Sequence, residues 1–269
     1  MNKTTKGLIY FLLPAVIIIV ALIVNKWLGV AALLVYIAVL IYVLRSAIYT
    51  LIGSKKYTQG NIEQAMLLFG RAYATGRASI RTTVSYAYIL LKNKDLQKSE
   101  EILQKLIKNN QSSPQLPYIK SIMALVLWKK GNLDEATSMQ EEVIRTYRTT
   151  SVYGSLGYML ILQGDLEKAL KFNLEAYEYN SSDNIINDNL GQNYLLLGMY
   201  DKATEIYEPL LAKAPTFPEP YYNYALVLDK LGDREKALET IKKALDCKFS
   251  YLSTITKDDV EAKINELSV

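Results

Sequence analysis

The side chains that most often do chemistry are nearly missing from this sequence. There is no histidine among its 269 residues. That removes the commonest general base, the commonest metal ligand and the side chain that titrates near neutrality. One cysteine, Cys247, stands alone, so neither an intrachain disulfide nor a thiolate metal site can form. Its position near the end of a helical run reads as a small apolar filler. The acids of TKDDVE, residues 256–261, are clustered, but at a helix start such acids complement the dipole. The glycines of LGQNYLLLG have other duties: Gly191 sits at a packing position and Gly198 in a turn, so no nucleotide loop is read there. No phosphate loop, paired metal ligands or nucleophile–base pair is found. The expectation is a chain that is not an enzyme, with no catalytic, cofactor-binding or metal-binding residue, no cofactor and no small-molecule substrate. What remains are 21 tyrosines. Most fall where a ring fills space between helices, leaving a minority to face a partner.

The elements that would position those rings begin after an apolar segment. Residues 1–52 hold Lys3, Lys6, Lys26 and Arg45 and no acid, and the first acid is Glu63. The other 27 basic residues balance the 27 acids, so the formal +4 belongs to the N-terminal segment. A pI near 8.8 therefore gives no basic patch on a folded domain and no expectation of nucleic-acid binding. Residues 8–24 and 27–44 are two charge-free runs of 17 and 18 residues. Each is at the lower edge of the roughly 17–25 residues that span a hydrocarbon core. Only Asn25 and Lys26 separate them, which predicts an antiparallel transmembrane hairpin over 1–45, with the lipid bilayer as its surroundings. No small-residue cleavage site follows Val24, and Pro14 is tolerated in a membrane helix. Lys3, Lys6, Arg45, Lys55 and Lys56 flank the spans on one side against Lys26 on the other. That bias predicts both termini, and everything after the spans, in the cytoplasm.

From there a register takes over. Gly53, Ala87, Ala124, Gly157, Gly191 and Ala225 are each followed twelve residues later by Ala65, Ser99, Ala136, Ala169, Ala203 and Ala237. Successive pairs lie 34, 37, 33, 34 and 34 residues apart. Two antiparallel helices approach closely only where the facing side chains are small. Between the members of each pair stands a turn, marked by Gly60-Asn61, Asn93, Gly131-Asn132, Gly164-Asp165, Gly198 and Gly232-Asp233. Ile62, Leu96, Leu133, Leu166 and Tyr200 then anchor the second helix, while Arg234 breaks the pattern. This resembles the tetratricopeptide repeat, a helix–turn–helix unit of 34 residues. Some positions depart from the family pattern: Tyr49, Tyr153 and Tyr221 stand for its early Trp, and Lys56 takes the place met elsewhere only by Tyr194.

The resemblance implies an all-α chain of six hairpins over 46–250, at about 46–79, 80–113, 117–149, 150–183, 184–217 and 218–250, stacked into a superhelix with a concave groove. A capping helix over 251–269 follows from Thr256 and Asp259 as caps and Val260, Ile264 and Leu267 as one apolar stripe. Counting back from Gly53 puts the first repeat helix at about 46–59, continuous with the second span and without a linker. By analogy with the family, the groove is lined by each unit's first helix, in a strip that includes Leu125, Asp188, Tyr88, Trp128, Tyr158, Gln192 and Tyr222. The last five are the expected peptide contacts. Lys92, Lys129 and Asn223 form an incomplete set for clamping a C-terminal carboxylate, so the groove suits a segment with apolar anchors. The expected function is a membrane-anchored scaffold that docks a protein or peptide partner at the cytoplasmic membrane surface. The alternative is an accessory subunit of a membrane enzyme or envelope-assembly complex that also binds through the hairpin.

Overall fold

A computed structural model describes the backbone of residues 3–268 and the side chains of 13–268. The side chains of Lys3, Lys6 and the start of the first apolar run lie outside the described residues. Within the described residues the secondary structure is helical, and the contacts divide the chain into two compact units, Met1–Tyr86 and Ala87–Val269.

The first unit opens with α1 (Lys3–Val24) and α2 (Lys26–Thr58). Asn25 makes the turn between them: its side-chain oxygen accepts from the amides of Trp27 at 2.9 Å and Leu28 at 3.4 Å, capping α2. The two helices touch so closely at Gly29 that any Cβ there would collide with Leu22. Most large side chains of this segment face outward, among them Ile23 at 80% and Trp27 at 72% exposure. Of the described helices α2 is the one long and apolar enough to cross a membrane; the apolar stretches Leu13–Val24 and Thr150–Leu162 are shorter. α2 does not stop where the apolar run stops. It continues into the first repeat and packs on α3 (Ile62–Ala74), where a Cβ on Gly53 would sit 3.3 Å from Leu68 Cβ. Ser46 Oγ donates to the carbonyl of Ala72 at 3.3 Å, and Thr50 reaches Thr82 at 3.3 Å.

The division between the units falls inside α4 (Ile80–Lys92). The second unit brings α5 (Leu96–Asn109) onto α4, where Ser99 Oγ donates to the carbonyl of Ala87 at 2.7 Å, and pairs α6 (Leu116–Lys129) with α7 (Leu133–Ile144) and α8 (Thr150–Leu162) with α9 (Leu166–Tyr179). α10 (Asn184–Leu196) pairs with α11 (Tyr200–Ala212), and α12 (Glu219–Lys230) with α13 (Arg234–Lys242). The twelve small residues of the register are all buried, and the nine that are not glycine have no measurable exposure. At Gly191 a Cβ would stand 2.6 Å from the ring of Tyr207, so the ring fills the space that the missing side chain leaves. Buried amides bridge neighbouring repeats: Asn189 donates to the carbonyl of Gly154 at 2.7 Å, and Asn193 to that of Leu166 at 3.0 Å.

The turns use left-handed backbone at one fixed place per repeat: Gly60, Gly131, Gly164, Gly198 and Gly232, with φ between 73° and 90°. In the second repeat that place is taken by Lys94 at φ 68°, one residue after the Asn93 expected to mark the turn.

After α13 a short 3-10 turn, Lys243–Asp246, leads through residues 247–256 to α14 (Lys257–Ser268). Thr256 Oγ1 accepts from the amide of Asp259 at 3.2 Å, while the Asp259 carboxylate accepts from the Thr256 amide at 2.7 Å. Val260 and Leu267 are buried against the last repeat, with Ile264 beside them. Arg234 breaks the apolar pattern for a reason visible here: its guanidinium donates to the carbonyls of Glu266 and Leu267 at the end of α14.

Candidate functional site

The second unit holds a cavity of about 360 Å³ on the face formed by the first helices of its repeats. α4 supplies Tyr88 and Lys92, α6 Leu125 and Trp128, α8 Tyr158, α10 Asp188 and α12 Glu219. These positions recur because a fixed phase of a repeated helix faces the same way each time. Trp128 and Tyr158 meet edge to face, with centroids 5.6 Å apart.

One wall was not legible in the repeat pattern. Residues 250–254, between the 3-10 turn and α14, fold across this face, and Ser250, Leu252, Ser253 and Thr254 line the cavity. The strap is tied at several points. The Lys248 amide donates to the carbonyl of Thr216 at 3.0 Å, and the Thr254 amide to Glu219 Oε1 at 2.7 Å. Lys129 Nζ lies 4.2 Å from the centre of the Trp128 ring and 5.3 Å from that of Tyr251, and donates to the carbonyl of Ser253 at 3.4 Å.

The polar floor consists of two carboxyl groups. Asp188 is 6% exposed, and its Oδ1 accepts from the Tyr207 hydroxyl at 3.2 Å and the Asn223 amide at 3.1 Å. Burial and the charge of Glu219 push its pKa up to about 7, against the pull of those two donors. Glu219 is 7% exposed; its Oε1 is satisfied by Thr254, whereas Oε2 is buried with no hydrogen-bond partner. Burial raises its pKa too, while the Thr254 hydrogen bonds and the Lys129 charge hold it down. Burial in turn lowers the pKa of Lys129, which Glu219 partly offsets.

Of the five residues expected to contact a peptide, Tyr88, Trp128 and Tyr158 come together in this cavity. Gln192 and Tyr222 do not line it. Tyr222 is drawn away because α14 exists: it packs against the apolar cluster of the last repeat, and Asp259, Lys263 and Glu266 of α14 act on its hydroxyl. The cap thus takes the groove position of the final unit. Sequence reasoning placed Asp188 on the strip without giving it a role, and it missed Glu219. Two signals pointed to them: the polar run NDN, residues 187–189, inside a buried helix, and an acid held between Pro218 and Pro220.

The tetratricopeptide repeat family model matches residues 50–248, and the chain belongs to that family. Proteins of the family generally mediate protein–protein interaction and are typically non-catalytic. Among curated proteins the chain is similar to BBSome complex member BBS4 of Bos taurus, 25% identical over 187 residues, 68% of this chain and 35% of that protein. It is also similar to the TPR repeat-containing protein MJ1428 of Methanocaldococcus jannaschii, 28% identical over 188 residues, 65% of this chain and 32% of that protein. The chain therefore spans about a third of the length of these relatives. Among solved structures, a tetratricopeptide repeat protein of Parabacteroides merdae superposes with a TM-score of 0.66 at 13% identity, over 84% of this chain and 85% of that one, a likeness of fold.

Proposed function

We propose that this chain is a membrane-anchored, non-catalytic scaffold whose repeats dock a protein or peptide partner at the cytoplasmic surface of a bilayer. The observation that carries the docking half is the convergence of Tyr88, Trp128 and Tyr158 from three successive repeats on one cavity. Rigid rings gain much contact area for little lost entropy, which suits them as anchors. The family's general role supports the same reading, as does the place of one relative in a multi-protein complex. The anchoring half is supported by the outward-facing apolar side chains along Leu13–Val24 and the first turns of α2. Contiguous apolar surface of that kind needs a covering. The basic flanks favour the cytoplasmic orientation.

The test is truncation of the rings. In Trp128→Ala and Tyr158→Ala, both at half-buried positions, the melting transition is expected to shift little. Binding of the captured partner is expected to fall by about 2 kcal/mol, roughly thirtyfold. A collapsed melt would instead return the rings to a packing role, with a cost of about 3–5 kcal/mol in folding. The same variants separate the second reading, an accessory subunit that binds through α1 and α2. A partner retained at full affinity after both truncations is held by the hairpin.

A further inference from the structure

The cavity contains more than apolar anchors. Glu219 Oε2 is buried without a hydrogen-bond partner, and Asp188 stands on the same floor. A buried carboxylate oxygen without a donor is costly, and an incoming donor removes that cost. The donor with most to offer is a cation, because charge-assisted bonds to a desolvated carboxylate are about twice as strong as neutral ones. The walls suit the same guest, since Trp128, Tyr158 and Tyr88 line the cavity with the two acids, and aromatic rings beside carboxylates favour a cation. Two lysines also border the space. Lys92 is one, and Lys129 has its ammonium held over Trp128 and at the Ser253 carbonyl. A third acid, Asp183, is occupied by capping the amides of Ile185 and Ile186. At about 360 Å³ the cavity lies at the small end of ligand sites, with room for a side chain rather than a helix.

We propose that the cavity bounded by Trp128, Tyr158, Asp188 and Glu219 is a binding site for an organic cation, the guanidinium or ammonium group of an arginine or lysine side chain carried by the docked partner. This rests on the reading of that face as the docking surface, and it adds the chemistry by which a partner segment is selected. A free amine or guanidine carries the same chemistry, so the test has an arm for each source.

The experiment uses the full chain in detergent with Trp27→Phe, which leaves Trp128 as the sole tryptophan. Its emission is followed on titration with agmatine, with acetyl-Gly-Gly-Arg-Gly-Gly-amide and with the same peptide carrying citrulline, a neutral near-isostere of arginine. The expected result is a saturable change with the two cations and at least about tenfold weaker binding of the citrulline peptide. Tighter binding of the arginine peptide than of agmatine assigns the cation to a partner chain, and the reverse assigns it to a free amine. Glu219→Gln, which keeps an oxygen for Thr254, is expected to weaken arginine binding by about tenfold or more. Asp188→Asn is the second variant should the first fail to fold, and the citrulline comparison needs neither. Equal binding of arginine and citrulline peptides overturns the proposal, as does an unchanged arginine affinity in a Glu219→Gln chain that melts like wild type. If citrulline equals arginine while Trp128→Ala still abolishes partner capture, the cation site falls and the docking groove stands. If Trp128 responds to no peptide and capture ignores its truncation, both fall.

Discussion

At the scale of single residues, the decisive fact is that Asp188 is a buried acid that shares the cavity floor with a second acid, Glu219. Its folded pKa, pushed up to about 7, lies above the ordinary carboxylate value, so the folded chain holds the proton more tightly than the unfolded one. The stability linked to that proton is fully present only below about pH 4 and is lost as pH rises through about 7. Three pKa units correspond to about 4 kcal/mol at most. Asp188→Asn keeps an oxygen for Tyr207 and Asn223 and carries no charge. It is expected to exceed wild type in stability at pH 8, with the gap closing by about pH 4. Urea titrations of both chains at several pH values check this, and a gap that ignores pH would contradict it. Glu219 shifts in the same direction, so the wild-type slope belongs to both acids and the difference between chains reports Asp188 together with its coupling to Glu219. Tyr88, Trp128 and Tyr158 were legible in sequence because they share a repeat phase. Glu219 was not, because what gives it meaning is Thr254, 35 residues away in a segment with no periodicity.

At the scale of elements, the hairpins were legible because one steric need repeats: twelve small residues permit six close helix pairs. Details that depend on capping chemistry were less regular. Asn61, Asp95, Asp165 and Asp233 each accept from the amide three residues on and so cap the second helix of their hairpins. Met199 occupies the same place before α11, with φ −88° and ψ 63° against −84° and 67° at Asp95, and has no side-chain acceptor. Met199→Asp is therefore expected to stabilise the chain by about 1 kcal/mol, read as a raised melting temperature. No change would mean that a solvent hydrogen bond already serves the end of α11 equally well. Lys94 shows the opposite compromise. It accepts left-handed backbone where five repeats use glycine, and in return its ammonium lies 5.8 Å from the centre of the Tyr251 ring in the strap. Arg234 likewise looks out of place in its repeat and makes sense only once α14 is in view.

At the scale of the whole molecule, the succession of repeats could be read along the chain, because a 34-residue period is visible in one dimension. The strap could not: it crosses repeats that are far away in sequence, and its contacts draw on backbone and side chains alike. The proposed orientation is open to a direct measurement. A reporter active only in the cytoplasm, fused after Val269, is expected to be active. Activity confined to a reporter that requires export would invert the topology and place the cavity on the outer side of the membrane. The lone thiol of Cys247, half-buried near the strap, offers no disulfide that would betray the compartment.

The unbroken helix α2 has a consequence that concerns angle. One rod of 33 residues, about 50 Å long, meets Leu22 of α1 through Gly29 near one end and Ala72 of α3 through Ser46 farther along. Because the rod has no joint, the azimuth of the first contact dictates that of the second, as a key fixes a wheel on its shaft. Adding one residue between them would turn the two contacts by about 100° and part them by about 1.5 Å, whereas adding seven would restore the bearing to within about 20°. In this stretch length is quantised in heptads, and whatever grips α1 also sets the rotation of the first repeat.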